Sequence, residues 1–228
     1  GAAGLVALEQ YQDSEVRKVT GRIVIASYRL PFSIAVENGK DALVRNAGGL
    51  VSAMLALSHG RNADIVWVGR SDASRTAIAA AGGDELPFHL YPVALDAATE
   101  RDYYGGFCND LIWPLFHYFS SYAVFRDSYY DAYVRANQAF METLADILEP
   151  GDFIWIHDYQ LFLLPRLVRE RFPDAQIGFF LHIPFPSYEL FRLLPRIWRH
   201  ALIEGMLGAD LVGFHTNDYT QHFLDTVR

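Results

Sequence analysis

The sequence predicts an α/β fold: a mostly parallel, doubly wound sheet with helices packed against it. Short apolar runs rich in Val, Ile and aromatic residues alternate along the chain with segments whose apolar residues recur at helical spacing. Two of the runs, at residues 153–156 and 176–181, stop abruptly at polar clusters. Parallel strands deliver side chains to the carboxyl edge of such a sheet in this way, so we expect a ligand site at that edge.

Three strands are predicted in the first half of the chain. Residues 22–27 predict a buried first strand, and Gly48-Gly49 is predicted to begin an apolar-periodic helix that extends to about residue 58. Residues 64–69 predict a second strand and residues 88–95 a third, while the Ala- and Gly-rich stretch between them predicts no element. Residues 1–20 are interpreted as an N-terminal tail, and residues 21–228 as one domain.

The second half continues the alternation of helices and strands without an internal repeat or a low-complexity linker. The predicted elements are helices at 97–118 and 128–148, a strand at 153–156, a helix at 161–171, a strand at 176–181, one or two helices at 187–206 broken near Pro195, a strand at 210–214 and a final helix capped by Asn217. Phe116, Tyr118 and Trp155 are expected in the core.

Composition limits the classes of partner. The 228 residues are 51% hydrophobic and 14% aromatic, which suffices for a sizeable core. The formal charge of −8 disfavours nucleic acid and anionic membrane as partners, but it is compatible with a local basic pocket. No apolar run approaches the ~20 residues of a membrane span. The single cysteine, Cys108, and the lack of zinc-spaced ligands lead us to expect no metal, no cofactor and a cytoplasmic location.

Asp158 and His182 stand at the two polar clusters and form the candidate active site. They are 24 residues apart, enough for a strand, a helix and the next strand, so both can emerge at one rim of the sheet. From the residues alone, Asp158 could instead cap the helix that follows, and His182 could be a satisfied histidine at a strand end. His157 is expected to support the loop.

Other residues carry weaker signals. Arg29 follows the first strand, where its guanidinium could hold a phosphate or form a surface ion pair. Gly48 and Gly49 could admit a diphosphate to a helix N-terminus or simply make a tight turn. Tyr104 and Trp113 could stack on a sugar or lie in the core.

Six ordered pieces of the chain resemble the trehalose-6-phosphate synthase family of retaining glycosyltransferases, whose GT-B fold has two facing Rossmann-like domains. The pieces are Ser27-Tyr28-Arg29-Leu30-Pro31, Gly48-Gly49-Leu50, Tyr103-Tyr104, Trp113-Pro114-Leu115-Phe116-His117-Tyr118, His157-Asp158-Tyr159 and Phe180-Leu181-His182-Ile183-Pro184-Phe185-Pro186. The resemblance begins near Arg22 and implies that this chain is the N-terminal, acceptor-side half, without the C-terminal donor domain.

The resemblance implies transfer of glucose from UDP-glucose, or a similar nucleotide sugar, to glucose 6-phosphate with retention at the donor carbon. Sugar phosphate and nucleotide sugar would then be the ligands, and a homo-oligomer is an open option. The implied roles are acceptor binding by Arg29, Tyr104, Trp113 and Asp158, donor binding by Gly48, Gly49 and His182, and catalysis by Asp158 and His182.

Two positions depart from the family pattern. The family commonly has Asn where Tyr28 stands, and Gly-Trp where this chain has Gly69-Arg70. Arg70 could add a phosphate contact or reshape the acceptor pocket. Two alternatives therefore remain open: a related transferase with another acceptor, such as a glucosylglycerol-phosphate synthase, or a sugar-phosphate-binding module without catalysis.

Overall fold

The computed structural model describes residues 21–37, 40–46 and 64–228. The predicted tail at residues 1–20 and the predicted helix after Gly48-Gly49 lie outside the described residues. The described part contains a six-stranded parallel sheet and a separate two-stranded antiparallel sheet.

The sheet confirms the predicted fold class. In chain order the strands are β1 (Ile23–Arg29), β2 (Phe32–Glu37), β3 (Lys40–Arg45), β4 (Ile65–Arg70), β5 (His89–Val93), β6 (Phe153–His157), β7 (Gln176–Phe180) and β8 (Leu211–Gly213). The large sheet has the order β5-β4-β1-β6-β7-β8. From β1 the chain adds β4 and β5 on one side of the sheet, and it then adds β6, β7 and β8 on the other side. The topological switch point, where the strand order reverses, therefore lies between β1 and β6. Ligands of doubly wound sheets bind at such a point.

The antiparallel hairpin of β2 and β3 was not predicted. Its register pairs Phe32 with Arg45 and Val36 with Asp41. The hairpin follows β1 directly, and Phe32 packs against Phe88 with a ring-centroid distance of 6.2 Å. It therefore forms one wall beside the carboxyl end of β1.

Seven helices accompany the strands in the described part. They are α1 (Arg75–Ala80), α2 (Ala97–Glu100, continued by Arg101–Ile112 and Trp113–Phe116), α3 (Asp127–Ile147), α4 (Leu164–Arg171), α5 (Tyr188–Phe191), α6 (Arg196–Met206) and α7 (Asn217–Val227). The predicted break near Pro195 is confirmed, because α5 and α6 flank it. The predicted cap is wrong by one residue: the Thr216 hydroxyl, not Asn217, accepts the Tyr219 N–H at 3.3 Å. α1 was not predicted.

The middle of α2, Arg101–Ile112, is π-helical. Within this segment Tyr103, Phe107, Cys108 and Leu111 are completely buried, while Tyr104 stays partly accessible. The helix ends at Phe116 rather than at 118, since Tyr118 adopts a left-handed φ of 69°. Tyr118 is 52% exposed, so its predicted place in the core is wrong.

The core lies on both faces of the sheet. Val24 and Ala26 of β1 join the larger apolar cluster with α2, α3, α4 and α6. Ile25 of the same strand joins a smaller cluster that includes Trp67 and Ile78 of α1. A central parallel strand is buried on both faces, which explains the uninterrupted apolar run that predicted β1. Within the described ranges, no helix is long and apolar enough to cross a membrane.

Candidate functional site at the carboxyl edge of the sheet

The carboxyl ends of β1 and β4 form one side of a cleft of about 520 Å³. Arg29 and Arg70 are the last residues of these strands and are direct partners in their pairing, after an irregularity that begins at Ala26. Tyr28, Glu100 and residues of the β2 strand also line the cleft. The sequence-predicted residues Arg29 and Arg70 are therefore brought together.

Arg29 lies beside an aromatic platform. The rings of Tyr28 and Tyr104 are stacked with centroids 4.0 Å apart and planes 8° from parallel. The Arg29 guanidinium carbon lies 5.5 Å and 5.4 Å from the two ring centroids, so it is beside the stacked pair at nearly equal distance from both rings. Arg29 is exposed, and none of the described carboxylates lies within ion-pair distance of it. Its N–H groups are available to an anion.

Arg70 differs because two carboxylates already contact it. Its Nε donates to Glu100 Oε2 at 3.1 Å, and its Nη2 donates to Asp72 Oδ1 at 2.6 Å. These contacts, that to Asp72 first, raise the pKa of Arg70 further above its ordinary value. The Tyr28 hydroxyl donates to the other Glu100 oxygen, and burial together with this carboxylate raises the Tyr28 pKa. Tyr28 and Arg70 thus meet on Glu100.

Asp158 occupies a strained backbone position between β6 and a short 3-10 turn. Its φ of 75° and ψ of 172° lie in a region that is essentially reserved for glycine. Its Oδ1 accepts the backbone N–H of Tyr159 at 3.0 Å and that of His182 at 3.1 Å. Oδ2 has no hydrogen-bond partner in the described part and is not sealed from solvent. Asp158 therefore caps the turn and still presents one carboxylate oxygen.

The charge of Asp158 is poorly solvated. Burial raises the pKa of its carboxyl group to about 6, although the two backbone hydrogen bonds oppose the rise by stabilising the ionised form. Perturbed carboxyl groups at a sheet edge are frequent in functional sites, although structural networks also produce them.

His182 belongs to a row of three imidazoles. His157 Nδ1 lies 3.0 Å from His182 Nε2, and the ring of His215 lies 5.7 Å from that of His182. Burial lowers the pKa of His157 to about 3, with a further contribution from His182. Burial, and then His215, lowers the pKa of His182. His182 Nδ1 makes no hydrogen bond in the described part and is not sealed from solvent, so it can reach a ligand.

A buried tyrosine links the two halves of the edge. The ring of Tyr103 contacts that of Tyr28 edge-on at 5.8 Å, and its hydroxyl donates to the Gln160 carbonyl at 3.1 Å. Gln160 lies two residues beyond Asp158, so the π-helical segment of α2 supports both the Arg29 platform and the Asp158 turn.

Trp113 is not joined to either group. It is 43% exposed, and its ring stacks on His117 with centroids 4.0 Å apart. Within the described residues, no hydrogen bond or ring contact connects it to Arg29 or Asp158. Its acceptor role remains a prediction, as do the donor roles of Gly48 and Gly49, which lie outside the described residues.

Sequence reasoning missed Glu100, Asp72 and His215. Glu100 lies at the end of the first α-helical turn of α2, and no motif marks it. Asp72 and His215 each follow a strand closely, which is the signal that could have identified them. In the described part, no group of three His, Cys, Asp or Glu side chains is placed to hold a metal ion.

Comparison with known proteins gives a consistent result. The sequence profile of glycosyltransferase family 20 matches residues 21–228. Alpha,alpha-trehalose-phosphate synthase [UDP-forming] A of Dictyostelium discoideum is 42% identical over 209 residues, which cover 90% of this chain and 28% of that protein. Trehalose-6-phosphate synthase of Mycobacterium sp. (strain JLS) is 42% identical over 213 residues, which cover 93% of this chain and 41% of that protein. The chain therefore spans less than half the length of either relative.

Two solved structures share the fold. One, named as trehalose-6-phosphate from E. coli bound with UDP-2-fluoro glucose, matches with a TM-score of 0.73 and 30% identity, and covers 91% of this chain and 42% of its own. The other, an alpha,alpha-trehalose-phosphate synthase (UDP-forming) from Burkholderia xenovorans in complex with glucose-6-phosphate, matches with a TM-score of 0.72 and 27% identity over 90% of this chain and 42% of its own. The fold, the ordered motifs and the match over residues 21–228 together show that this chain belongs to glycosyltransferase family 20.

Proposed function

We propose that this chain is the acceptor-side domain of a retaining glucosyltransferase that forms trehalose 6-phosphate from UDP-glucose and glucose 6-phosphate. The observation that carries the proposal is Arg29, an exposed guanidinium without a carboxylate partner in the described part, held beside two stacked tyrosines at the carboxyl edge of the sheet. A phosphate accepts hydrogen bonds from such a fork, and aromatic faces pack against sugar C–H groups. The relatives' names supply the substrates.

In this proposal the acceptor lies between Arg29 and Asp158. Its phosphate binds Arg29, and its hydroxyl groups donate to Asp158 Oδ2, which has no other partner in the described part. Because the Asp158 pKa is about 6, the carboxylate is mainly ionised at neutral pH and acts as an acceptor of hydrogen bonds.

The donor lies on the other side of Asp158, where His182 Nδ1 contacts a hydroxyl of the glucose being transferred. The anomeric C–O bond to UDP breaks, and the acceptor hydroxyl bonds to the same face of that carbon. The acceptor proton passes to an oxygen of the departing diphosphate. The described residues of this domain contribute positioning and hydrogen bonds to this step, and the cations that stabilise the diphosphate would belong to the donor domain.

A second candidate rests on Arg70. Arg70 lines the same cleft as Arg29 and brings Glu100 and Asp72 with it, a charged lining that fits a related transferase with a different phosphorylated acceptor.

The buried state of Cys108, the single cysteine, supports the further proposal of a cytoplasmic location for either enzyme.

The test is UDP release from UDP-glucose by a full-length protein that carries this chain, with glucose 6-phosphate or glycerol 3-phosphate as acceptor. Release that depends on glucose 6-phosphate supports the synthase. A preference for glycerol 3-phosphate favours the second candidate, and no release with either acceptor rejects both. The isolated chain should bind sugar phosphate without turnover, because donor and acceptor meet between two domains.

A further inference from the structure

We propose that Arg70 is a second phosphate ligand beside Arg29, and that Asp72 is an exchangeable counter-ion that the entering phosphate group displaces. The identity of the phosphorylated ligand as a sugar rests on the proposed function; the anion site itself does not. It follows from how four charged side chains are arranged around the cleft.

The backbone places the two guanidinium groups side by side. Arg29 and Arg70 are paired across the adjacent parallel strands β1 and β4, and neighbouring strands lie about 4.8 Å apart. Both side chains line the same cleft. A phosphate group accepts several hydrogen bonds at once, so it can be bound by two arginines that start from adjacent backbone positions.

The two carboxylates that contact Arg70 are held very differently. Glu100 has a side chain only 21% exposed, and each of its oxygens accepts a bond, one from Tyr28 and one from Arg70 Nε. Asp72 has a side chain 84% exposed, and within the described residues its one side-chain hydrogen bond is the contact to Arg70 Nη2. Exposed ion pairs of this kind contribute little to stability. Glu100 is therefore a permanent partner of Arg70, whereas Asp72 can leave.

Asp72 resembles the ligand in chemistry. A carboxylate on Nη2 occupies the donor that a phosphate oxygen would take, and Asp72 lies only two residues beyond Arg70, on the segment between β4 and α1. When Asp72 swings into water it regains full hydration, while a dianionic phosphate gains two guanidinium partners. A singly charged anion gains less from the two guanidinium groups, so it displaces Asp72 less readily. Asp72 therefore raises the selectivity of the cleft for dianionic phosphate groups over singly charged anions.

The test compares binding of inorganic phosphate, glucose 6-phosphate and glucose by calorimetry to the 228-residue chain. If Asp72 competes with phosphate, Asp72→Asn strengthens binding of both phosphate-containing ligands by about three- to tenfold, and leaves glucose unchanged. Arg70→Gln should weaken binding of both by at least a similar factor. The matched control is Glu170→Gln, which removes one carboxylate from the exposed pair with Arg166 elsewhere on the surface and should change nothing.

Weaker or unchanged phosphate binding in Asp72→Asn overturns the exchange, and unchanged binding in Arg70→Gln overturns the second ligand. Circular dichroism of each variant confirms that it is folded before its binding is interpreted. Failure of the anion site and failure of the proposed function give different results. If Asp72→Asn tightens phosphate binding while glucose 6-phosphate fails to stimulate UDP release by the full-length protein, the anion site stands and the synthase activity does not.

Discussion

His157 Nδ1 and His182 Nε2 lie 3.0 Å apart, so the last residue of β6 contacts a residue just beyond β7. One of the two nitrogens carries a proton and donates it to the other, so the two rings cannot both be protonated without breaking this hydrogen bond. The pKa values of both residues are lowered, which keeps them neutral at physiological pH. His182 therefore meets its ligand as an oriented, uncharged imidazole, supported from behind by His157.

His157 should make the protein sensitive to acid. Its pKa is about 3 in the folded state against 6.5 as the ordinary value, so the unfolded state binds more protons between these limits. Stability therefore falls as the pH drops through this window. Replacing His157 by Gln, which retains a hydrogen-bonding side chain, should make the free energy of unfolding fall less steeply as the pH drops. The measurement is the free energy of unfolding in urea from pH 7.5 to pH 4.5, and an unchanged slope would contradict the assignment.

Asp158 should affect the pH dependence of stability in the opposite direction to His157. Its pKa of about 6 exceeds the ordinary 3.8, so the folded state binds more protons in this range and stability falls as the pH rises through it. Asp158→Asn keeps the size and one acceptor oxygen but removes the buried charge. We expect it to be more stable than the parent chain at pH 7.5, by roughly 1–3 kcal/mol, and to lose stability more steeply toward pH 4.5. Lower stability of this variant at pH 7.5 would show that the carboxylate is well solvated.

Arg29 should discriminate between phosphorylated and plain sugars. Each charge-assisted hydrogen bond contributes about 1.5–3 kcal/mol, so Arg29→Ala should weaken glucose 6-phosphate binding by roughly 10- to 100-fold and glucose binding hardly at all. Arg126→Ala is a suitable control, because Arg126 also lies near a tyrosine ring, at 5.4 Å from the Tyr129 centroid, but at another part of the surface. Equal losses for the two sugars would remove the phosphate role.

Gly205 should be required for packing of α6. A Cβ atom at this position would meet the Phe162 carbonyl oxygen and would lie 2.8 Å from the Leu163 Cα, both of them backbone atoms. Gly205→Ala should therefore destabilise the fold by about 1–3 kcal/mol. Gly105→Ala is the matched comparison, since nothing lies within 4 Å of its Cβ position, and alanine there should stabilise the helix by up to about 1 kcal/mol. Thermal unfolding of both variants distinguishes the two effects, and similar melting temperatures would contradict them.

Much of the sheet could be predicted from the sequence because its central strands are buried on both faces. Runs such as the one in β1 contain little but apolar residues, and their abrupt ends mark the carboxyl edge. The same logic placed Arg29, Asp158 and His182 at that edge. The hairpin of β2 and β3 escaped notice because it lies on the surface, with mixed polar and apolar residues. Asn38-Gly39 between the strands was a usable turn signal.

The rest depended on tertiary contacts. Periodicity predicted a helix near residues 97–118 but could not reveal the twelve-residue π-helical segment, because over so few residues the apolar spacing of the wider helix is close to that of an α-helix. Glu100 joins Tyr28 to Arg70 across 72 and 30 residues of sequence. No local pattern indicates a carboxylate whose partners are so distant, so sequence alone presented Arg70 as an isolated substitution.

The backbone of Asp158 implies a conflict between two kinds of selection. Its φ and ψ angles are those that glycine alone adopts without cost. A library at this position that is sorted for resistance to proteolysis should enrich glycine, whereas the same library sorted for sugar-phosphate capture should retain aspartate. The difference between the two enrichments would separate the effect of the aspartate on folding stability from its effect on sugar-phosphate binding.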